Sequence, residues 1–92
     1  MKVVYRLAAL QDLSQHHDYI TQFDPGAGPR VAETIHRSIS RLEMFPMSGR
    51  AGAVAGTYEL VVPGLPYIVV FRVHDVVEIV AIFHTSTDTP RS

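Results

Sequence analysis

Residues 58–83 read YELVVPGLPYIVVFRVHDVVEIVAIF, and this stretch decides the fold. It contains three segments rich in valine, isoleucine and aromatic residues, as is typical of β-strands: 58–62, 67–73 and 76–83. The interruptions at residues 63–66 and 74–75 predict tight turns. The near-continuous apolar character indicates strands buried on both faces, or strands with helices on one face and a partner on the other.

Two amphipathic helices are predicted upstream of these strands, after a short N-terminal strand at residues 2–6. In each helix, apolar residues recur at spacings of three and four and indicate one buried face. We expect His16, which occupies an apolar position of the first helix, to be a hydrogen-bonded core histidine. The expected inward residues are Ala9, Leu13, His16, Ile20 and Phe23 in the first helix, and Val31, Ile35, Ile39, Leu42 and Phe45 in the second.

The two helices should form a hairpin. Residues 24–29, DPGAGP, separate them, and the two prolines and two glycines of this segment break the first helix. Asp24 or Gly28 can cap the second helix. On the surface of that helix, Glu33 and Arg37 have the i, i+4 spacing of an ion pair.

The predicted order of elements is β-α-α-β-β-β. Residues 46–57 should form a small-residue loop in which Arg50 is the only charge. This order predicts an α+β fold in which a two-helix hairpin packs on a mostly antiparallel sheet. We expect one domain at residues 1–84 and a polar C-terminal tail at residues 85–92.

Composition narrows the class of protein. The chain has 92 residues, of which 47% are hydrophobic and 18% charged, and its formal net charge is -1. This composition argues against disorder and provides no global positive field for nucleic acid. The absence of cysteine excludes disulfides and fits a reducing cytoplasm. We expect no membrane association and no secretory signal, because prolines and charges interrupt every apolar stretch.

No motif for a cofactor or a metal is present. The phosphate-binding, dinucleotide, zinc-protease and serine-hydrolase motifs are all missing, so we expect no cofactor. The five histidines show no ligand spacing, and the adjacent His16 and His17 cannot both point the same way from a helix. We therefore expect no metal site.

Three residues are candidates for a catalytic site that the fold could gather on one face: Arg50, Arg72 and His84. Cleavage of RNA at the 2'-hydroxyl requires a base, an acid and cations that stabilise charge at the phosphate. In this hypothesis the two arginines bind phosphate and His84 is the acid or base. Arg72 is the most suggestive of the three, because a charge within the apolar run IVVFRV is costly to bury unless it is paired or faces a groove.

Each candidate also has a structural interpretation. Arg72 is at least as consistent with a salt bridge to Glu59 or Glu78 on a neighbouring strand. His84 fits a strand-end residue that forms a local hydrogen bond. Arg50 fits a solvated loop charge.

The chain resembles the RelE/ParE superfamily of bacterial toxins across nearly its whole length. The resemblance lies in four ordered blocks: Ala9, Asp12, Leu13 and Asp18-Tyr19-Ile20; Ile35 to Leu42, Phe45-Pro46 and Gly49-Arg50; residues 56–73, GTYELVVPGLPYIVVFRV; and Val77-Glu78-Ile79 with Phe83-His84. It implies the fold described above and a cognate antitoxin that covers apolar surface of the toxin. An uncovered sheet edge could pair with the antitoxin or with a second copy, so both a toxin-antitoxin hetero-oligomer and a homodimer are open.

The superfamily has two kinds of target. RelE-like members cleave mRNA on the ribosome and are usually basic, whereas ParE-like members act on DNA gyrase. This chain has a single lysine, Lys2, and reads His84-Thr85-Ser86-Thr87 where many relatives have His-Gly-x-Arg. We expect the toxin of a type II toxin-antitoxin system and favour ribosome-dependent mRNA cleavage. A non-catalytic inhibitor of DNA gyrase and an inactive relative that only binds its antitoxin are the alternatives.

Overall fold

The computed structural model describes residues 1–86. The elements are β1 (Val3–Tyr5), α1 (Leu7–Phe23), α2 (Ala27–Ser40), a 3-10 turn (Arg41–Glu43), β2 (Arg50–Ala51), β3 (Tyr58–Val61), β4 (Tyr67–Val73) and β5 (Val77–His84). The predicted α+β order is confirmed, with one addition: β2 lies in the segment that was expected to be a loop. Of the predicted polar tail, residues 87–92 lie outside the described residues, and the domain limits stay a prediction.

The five strands form one sheet in the order β1-β5-β4-β3-β2. β1 pairs with β5 in parallel, and the other three pairs are antiparallel. The register shifts between Val70 and Phe71, where Val70 pairs with Ala81 but Phe71 pairs with Ile79. Val80 is therefore an extra residue in β5, and it reverses which face the following side chains point to.

Both helices pack against one face of the sheet. The inward side chains of β4 and β5, among them Phe71 and Ile79, join Ile35, Ile39 and Leu42 in a core with no solvent exposure. Short antiparallel connections and alternating burial along β4 produce this arrangement. The opposite face of the sheet, which neither helix covers, is called the open face below.

The prediction of inward-pointing side chains is wrong for two residues. Phe23 is 74% exposed and Phe45 is 60% exposed. Phe23 is the last residue of α1, where the chain turns away from the sheet. Phe45 follows the 3-10 turn, whose tighter winding ends the periodicity that placed it inward.

The helical hairpin is closed at two points. The Asp24 carboxylate accepts hydrogen bonds from the backbone N–H groups of Gly26 and Ala27, at 3.1 and 3.3 Å. This side chain thus ties the turn to the start of α2. The prediction that Asp24 or Gly28 caps α2 is nevertheless wrong, because the N-cap is Gly26 and no side chain caps the helix. Gly28 is buried inside α2, where it lies directly against Thr21 of α1. On the outer surface of α2, the predicted ion pair between Arg37 and Glu33 forms at 3.0 Å.

Helix α1 covers an edge of β5 that no strand covers. β1 pairs with residues 77–79, so within residues 1–86 β5 has no strand neighbour on that side beyond Ile79. The Asp12 carboxylate accepts a hydrogen bond from the Ile82 N–H at 2.9 Å, and His16 Nε2 lies 3.0 Å from the Ile82 carbonyl oxygen. The predicted hydrogen-bonded role of His16 is confirmed. These two bonds satisfy backbone groups that would otherwise be unpaired inside the molecule.

Tyr5 provides a test of this packing by its pH dependence. Its hydroxyl lies 2.9 Å from His36 Nδ1, and burial raises the pKa of the phenol from 10.0 to about 12. Because the folded state disfavours the phenolate, burial of the neutral phenol contributes to the free energy of unfolding. This contribution is complete below pH 10.0 and is lost as the pH rises to about 12. We expect the melting temperature of the wild type to fall more steeply than that of Tyr5→Phe across this range, as followed by calorimetry. Parallel curves would contradict the burial of the phenol.

Within residues 1–86, neither helix is long and apolar enough to cross a membrane.

Candidate functional site on the open face

The open face is apolar at its centre. Pairing across β3, β4 and β5 aligns the side chains opposite to the core, and the apolar ones are Val61, Ile68, Val70, Ala81 and Phe83. Val61 is 48% exposed. The outer face of an antiparallel sheet is usually polar, so an apolar centre indicates a surface that contacts another molecule.

Arg72 lies at one end of this apolar centre. Its strand neighbour Phe71 is fully buried in the core, so Arg72 points to the open face. It is directly opposite Glu78 in the register, yet its guanidinium lies beside Gly56, where an added Cβ would be 3.4 Å from Nη1. Gly56 has a φ of 82°, a conformation that glycine adopts without strain.

Neither predicted partner of Arg72 is paired with it. Glu59 is bound by Arg50 at 3.3 Å, and Glu78 by Arg6 at 3.2 Å. Within residues 1–86, Arg72 forms no ion pair and no side-chain hydrogen bond. A partly buried guanidinium whose five donors are unused among these residues is suited to bind a carboxylate or a phosphate of another molecule.

Arg50 lies on the same face, at the outer strand. β2 pairs Arg50 with Glu59 of β3, and Glu59 pairs in turn with Val70 of the open face. The Glu59 side chain is only 11% exposed, and its second oxygen accepts the N–H of Ala53 at 3.1 Å. Glu59 therefore anchors the β2–β3 connection. The proposed role of Arg50 in phosphate binding stays a prediction.

His74 lies near Arg72, and the sequence did not point to it as a site residue. Glu78 of β5 contacts both Arg6 and His74, whose Nε2 is 3.5 Å from the carboxylate. His74 is two residues from Arg72 and 51% exposed. Because His74 lies in the predicted turn between two strands, it was not predicted as a site residue. The i, i+4 spacing of His74 and Glu78 was visible in the sequence.

His84 lies on the other face of the sheet. It pairs directly with Tyr67, which is 3% exposed, and directly paired residues point to the same face. The two rings meet edge to face at 5.2 Å, and the His16 ring also meets Tyr67 edge to face, at 4.9 Å. The fold thus brings Arg50 and Arg72 to the open face and places His84 with the helices.

No site for a metal is formed in the described part of the chain. Residues 1–86 contain no group of three histidine, cysteine, aspartate or glutamate side chains that could hold an ion.

A separate cleft opens at the outer edge of β3, on the helical side. It has a volume of about 360 Å³ and is lined by Ser38, Arg41, Phe45, Ser48, Leu60 and Pro63. The connection from the 3-10 turn to β2 forms one wall, and β3 with its following turn forms the other. Exposed Met44 and Met47 adjoin it in the sequence.

These features define a class of protein: a small α+β domain with a helical hairpin on one face of its sheet and an apolar, arginine-bearing surface on the other. Comparison with known proteins identifies a family that matches nearly the whole chain. The family model for the ParE toxin of the type II toxin-antitoxin system, parDE, matches residues 3–89. The chain belongs to this family of the RelE/ParE toxins, and membership implies a cognate antitoxin as its partner.

Two individual relatives and one solved structure are similar to this chain over more than nine-tenths of its length. The chain is 34% identical to a Sinorhizobium fredii protein named as toxin Y4kP, over 98% of this chain and 94% of that one. It is 36% identical to toxin RelE2 of Caulobacter vibrioides, over 92% of this chain and 96% of that one. A chain from the structure of a chromosomal ParDE system of P. aeruginosa has the same fold, with a TM-score of 0.86, 21% identity and coverage of 94% and 97%.

Proposed function

We propose that this toxin stops growth by binding DNA gyrase through the open face of its sheet, without cutting RNA. This is the ParE-like alternative of the sequence interpretation. The observation that carries it is the position of His84, the predicted acid or base, on the face of the sheet opposite to Arg50 and Arg72.

The arrangement of charges supports binding over hydrolysis. RNA cleavage requires an acid and a base at the scissile phosphate, within reach of the cations. Glu59 and Glu78 are the carboxylates nearest to the two arginines, and each forms an ion pair with an arginine. Both carboxylates are therefore occupied by an arginine of this chain, which leaves them poorly placed to reach a scissile phosphate.

The composition of the open face also supports a protein target. RNA binding depends on several cations that contact phosphates. Here the centre of the face is formed by Val61, Ile68, Val70, Ala81 and Phe83, with one unpaired arginine at its end within residues 1–86. An apolar centre with charges at the rim is the arrangement of a protein-protein interface.

The test is expression of the toxin without antitoxin in cells. We expect double-strand breaks linked to gyrase, with mRNA intact. A control is Arg37→Ala, which removes an exposed arginine of α2, a helix that packs on the opposite face of the sheet. Intact DNA together with mRNA cut within codons would overturn the proposal.

mRNA cleavage is the second candidate function, and one observation favours it. His74 and Glu78 form a histidine-carboxylate pair at 3.5 Å, near Arg72 on the same end of the sheet. In that case His74 takes the acid-base role that the sequence assigned to His84. Cut mRNA that disappears in His74→Ala but persists in His84→Ala would identify this site.

A further inference from the structure

We propose that the cleft at the outer edge of β3 is the anchor site for the cognate antitoxin. It takes an antitoxin segment whose apolar side chains enter the cleft and whose aspartate or glutamate binds Arg41. The cleft lies on the helical side of the sheet, apart from the open face. This inference goes beyond the proposed function, because it concerns a different surface and a different partner.

The charge of the cleft determines the chemistry of the partner. Among the described residues that line the cleft, Arg41 is the only charged one. Within residues 1–86, Arg41 has no ion pair, whereas its helical neighbour Arg37 is bound to Glu33 at 3.0 Å. An unpaired guanidinium at the wall of an apolar cleft is complementary to a carboxylate carried on an apolar segment.

The surroundings of the cleft indicate a permanent partner. Met44, Phe45 and Met47 are 78%, 60% and 64% exposed. Phe45 lines the cleft, and the two methionines lie within two residues of it in the chain. Interfaces of permanent complexes are more apolar than those of transient ones. The antitoxin is the partner that holds a type II toxin stably, so it is the occupant that this surface fits.

The size of the cleft suits anchor side chains. Its volume of about 360 Å³ is near the lower end of roughly 300 to 1,000 Å³ for ligand pockets. Apolar anchors that fill such a pocket contribute most of the affinity of an interface, and contacts around them mainly exclude water. Leu60 and Phe45 would be the apolar contacts, and Arg41 would fix the orientation.

The test compares binding of purified full-length antitoxin from the same operon to three variants of the full-length toxin. Arg41→Glu reverses the charge in the cleft, and Phe45→Ser removes an exposed apolar wall. Arg37→Glu is the matched control, because it reverses an exposed arginine of the neighbouring helix that does not line the cleft. Circular dichroism checks that all three variants fold.

We expect Kd to rise about 30-fold or more for Arg41→Glu and about 10-fold for Phe45→Ser, with Arg37→Glu within about threefold of the wild type. An acidic residue of the antitoxin changed to arginine should restore binding to Arg41→Glu. In cells, Arg41→Glu should inhibit growth as the wild type does and escape the antitoxin.

Two results would overturn the proposal. One is binding of Arg41→Glu and Phe45→Ser with the affinity of Arg37→Glu. The other is a toxin that dimerises alone in light scattering and becomes a monomer on Arg41→Glu, which would assign the cleft to a second copy. Neither outcome depends on gyrase, so a failed gyrase proposal leaves this binding comparison intact.

Discussion

Replacement of Arg72 with alanine should abolish growth inhibition while the protein stays folded. Arg72 is partly buried at the end of the apolar centre of the open face, and it has no ion pair within residues 1–86. An arginine in this setting is the type of residue that dominates an interface, and its loss commonly costs about 2 kcal/mol or more of binding free energy. That corresponds to roughly 30-fold weaker binding of the target.

The stability of Arg72→Ala should change little, by about 0.5 kcal/mol, because no ion pair among residues 1–86 is broken. Growth of induced cultures measures toxicity, and thermal unfolding checks the fold. Arg72→Lys is informative, since it keeps the charge but loses the planar fork that binds a carboxylate through two hydrogen bonds. A folded Arg72→Ala protein that inhibits growth as the wild type does would remove Arg72 from the site.

Replacement of Gly28 with alanine should destabilise the protein more than a helical Gly→Ala change normally stabilises it. An added Cβ would lie 2.9 Å from the His17 carbonyl oxygen and 3.2 Å from Thr21 Cβ, and closer still to Thr21 Oγ1. The carbonyl belongs to the backbone of α1, so the two helices must separate. Overpacking of this kind costs about 1 to 3 kcal/mol, offset by about 1 kcal/mol of helix propensity.

The expected net loss is up to about 2 kcal/mol, or up to roughly 15 °C in the melting temperature. Gly26→Ala is the matched control, because the atom nearest to its added Cβ is the flexible end of the Arg30 side chain at 3.1 Å. Among the residues that the structure describes, Thr21 Oγ1 is buried without a hydrogen-bond partner, so Thr21→Ala should be tolerated and should partly rescue Gly28→Ala. A melting temperature of Gly28→Ala several degrees above that of the wild type, as the gain in helix propensity alone would give, would refute the close approach.

The strands and helices were predictable because their signals are local. Valine-rich segments and turn residues placed β3, β4 and β5, and the three-four spacing placed both helices. β2 was missed because Arg50 and Ala51 have no strand preference of their own. Its pairing depends on distant residues: Glu59 binds Arg50, and an added Cβ at Gly49 would lie 2.7 Å from the buried Phe71 ring.

The sequence predicted the residues of the candidate site but not which of them share a face. The register of the sheet decides that. Glu78 and His84 are six residues apart, so strict alternation would put His84 on the face of Glu78 and Arg72. The extra residue Val80 reverses that alternation, and His84 packs against Tyr67 instead. A bulge leaves no clear mark in a run of valine and isoleucine. The pairing of Glu59 and Glu78 with other arginines likewise depends on the register, which the sequence does not state.

The separation of His84 from the two arginines underlies the account of a toxin that binds gyrase. The most direct test is to express the chain without antitoxin and to map mRNA 5' ends and gyrase-linked DNA breaks in the same cells. The account predicts gyrase-linked breaks, intact mRNA, and loss of both breaks and growth inhibition in Arg72→Ala. Ribosome-phased cuts in mRNA without DNA breaks would contradict it, whether His74→Ala or His84→Ala abolishes the cuts.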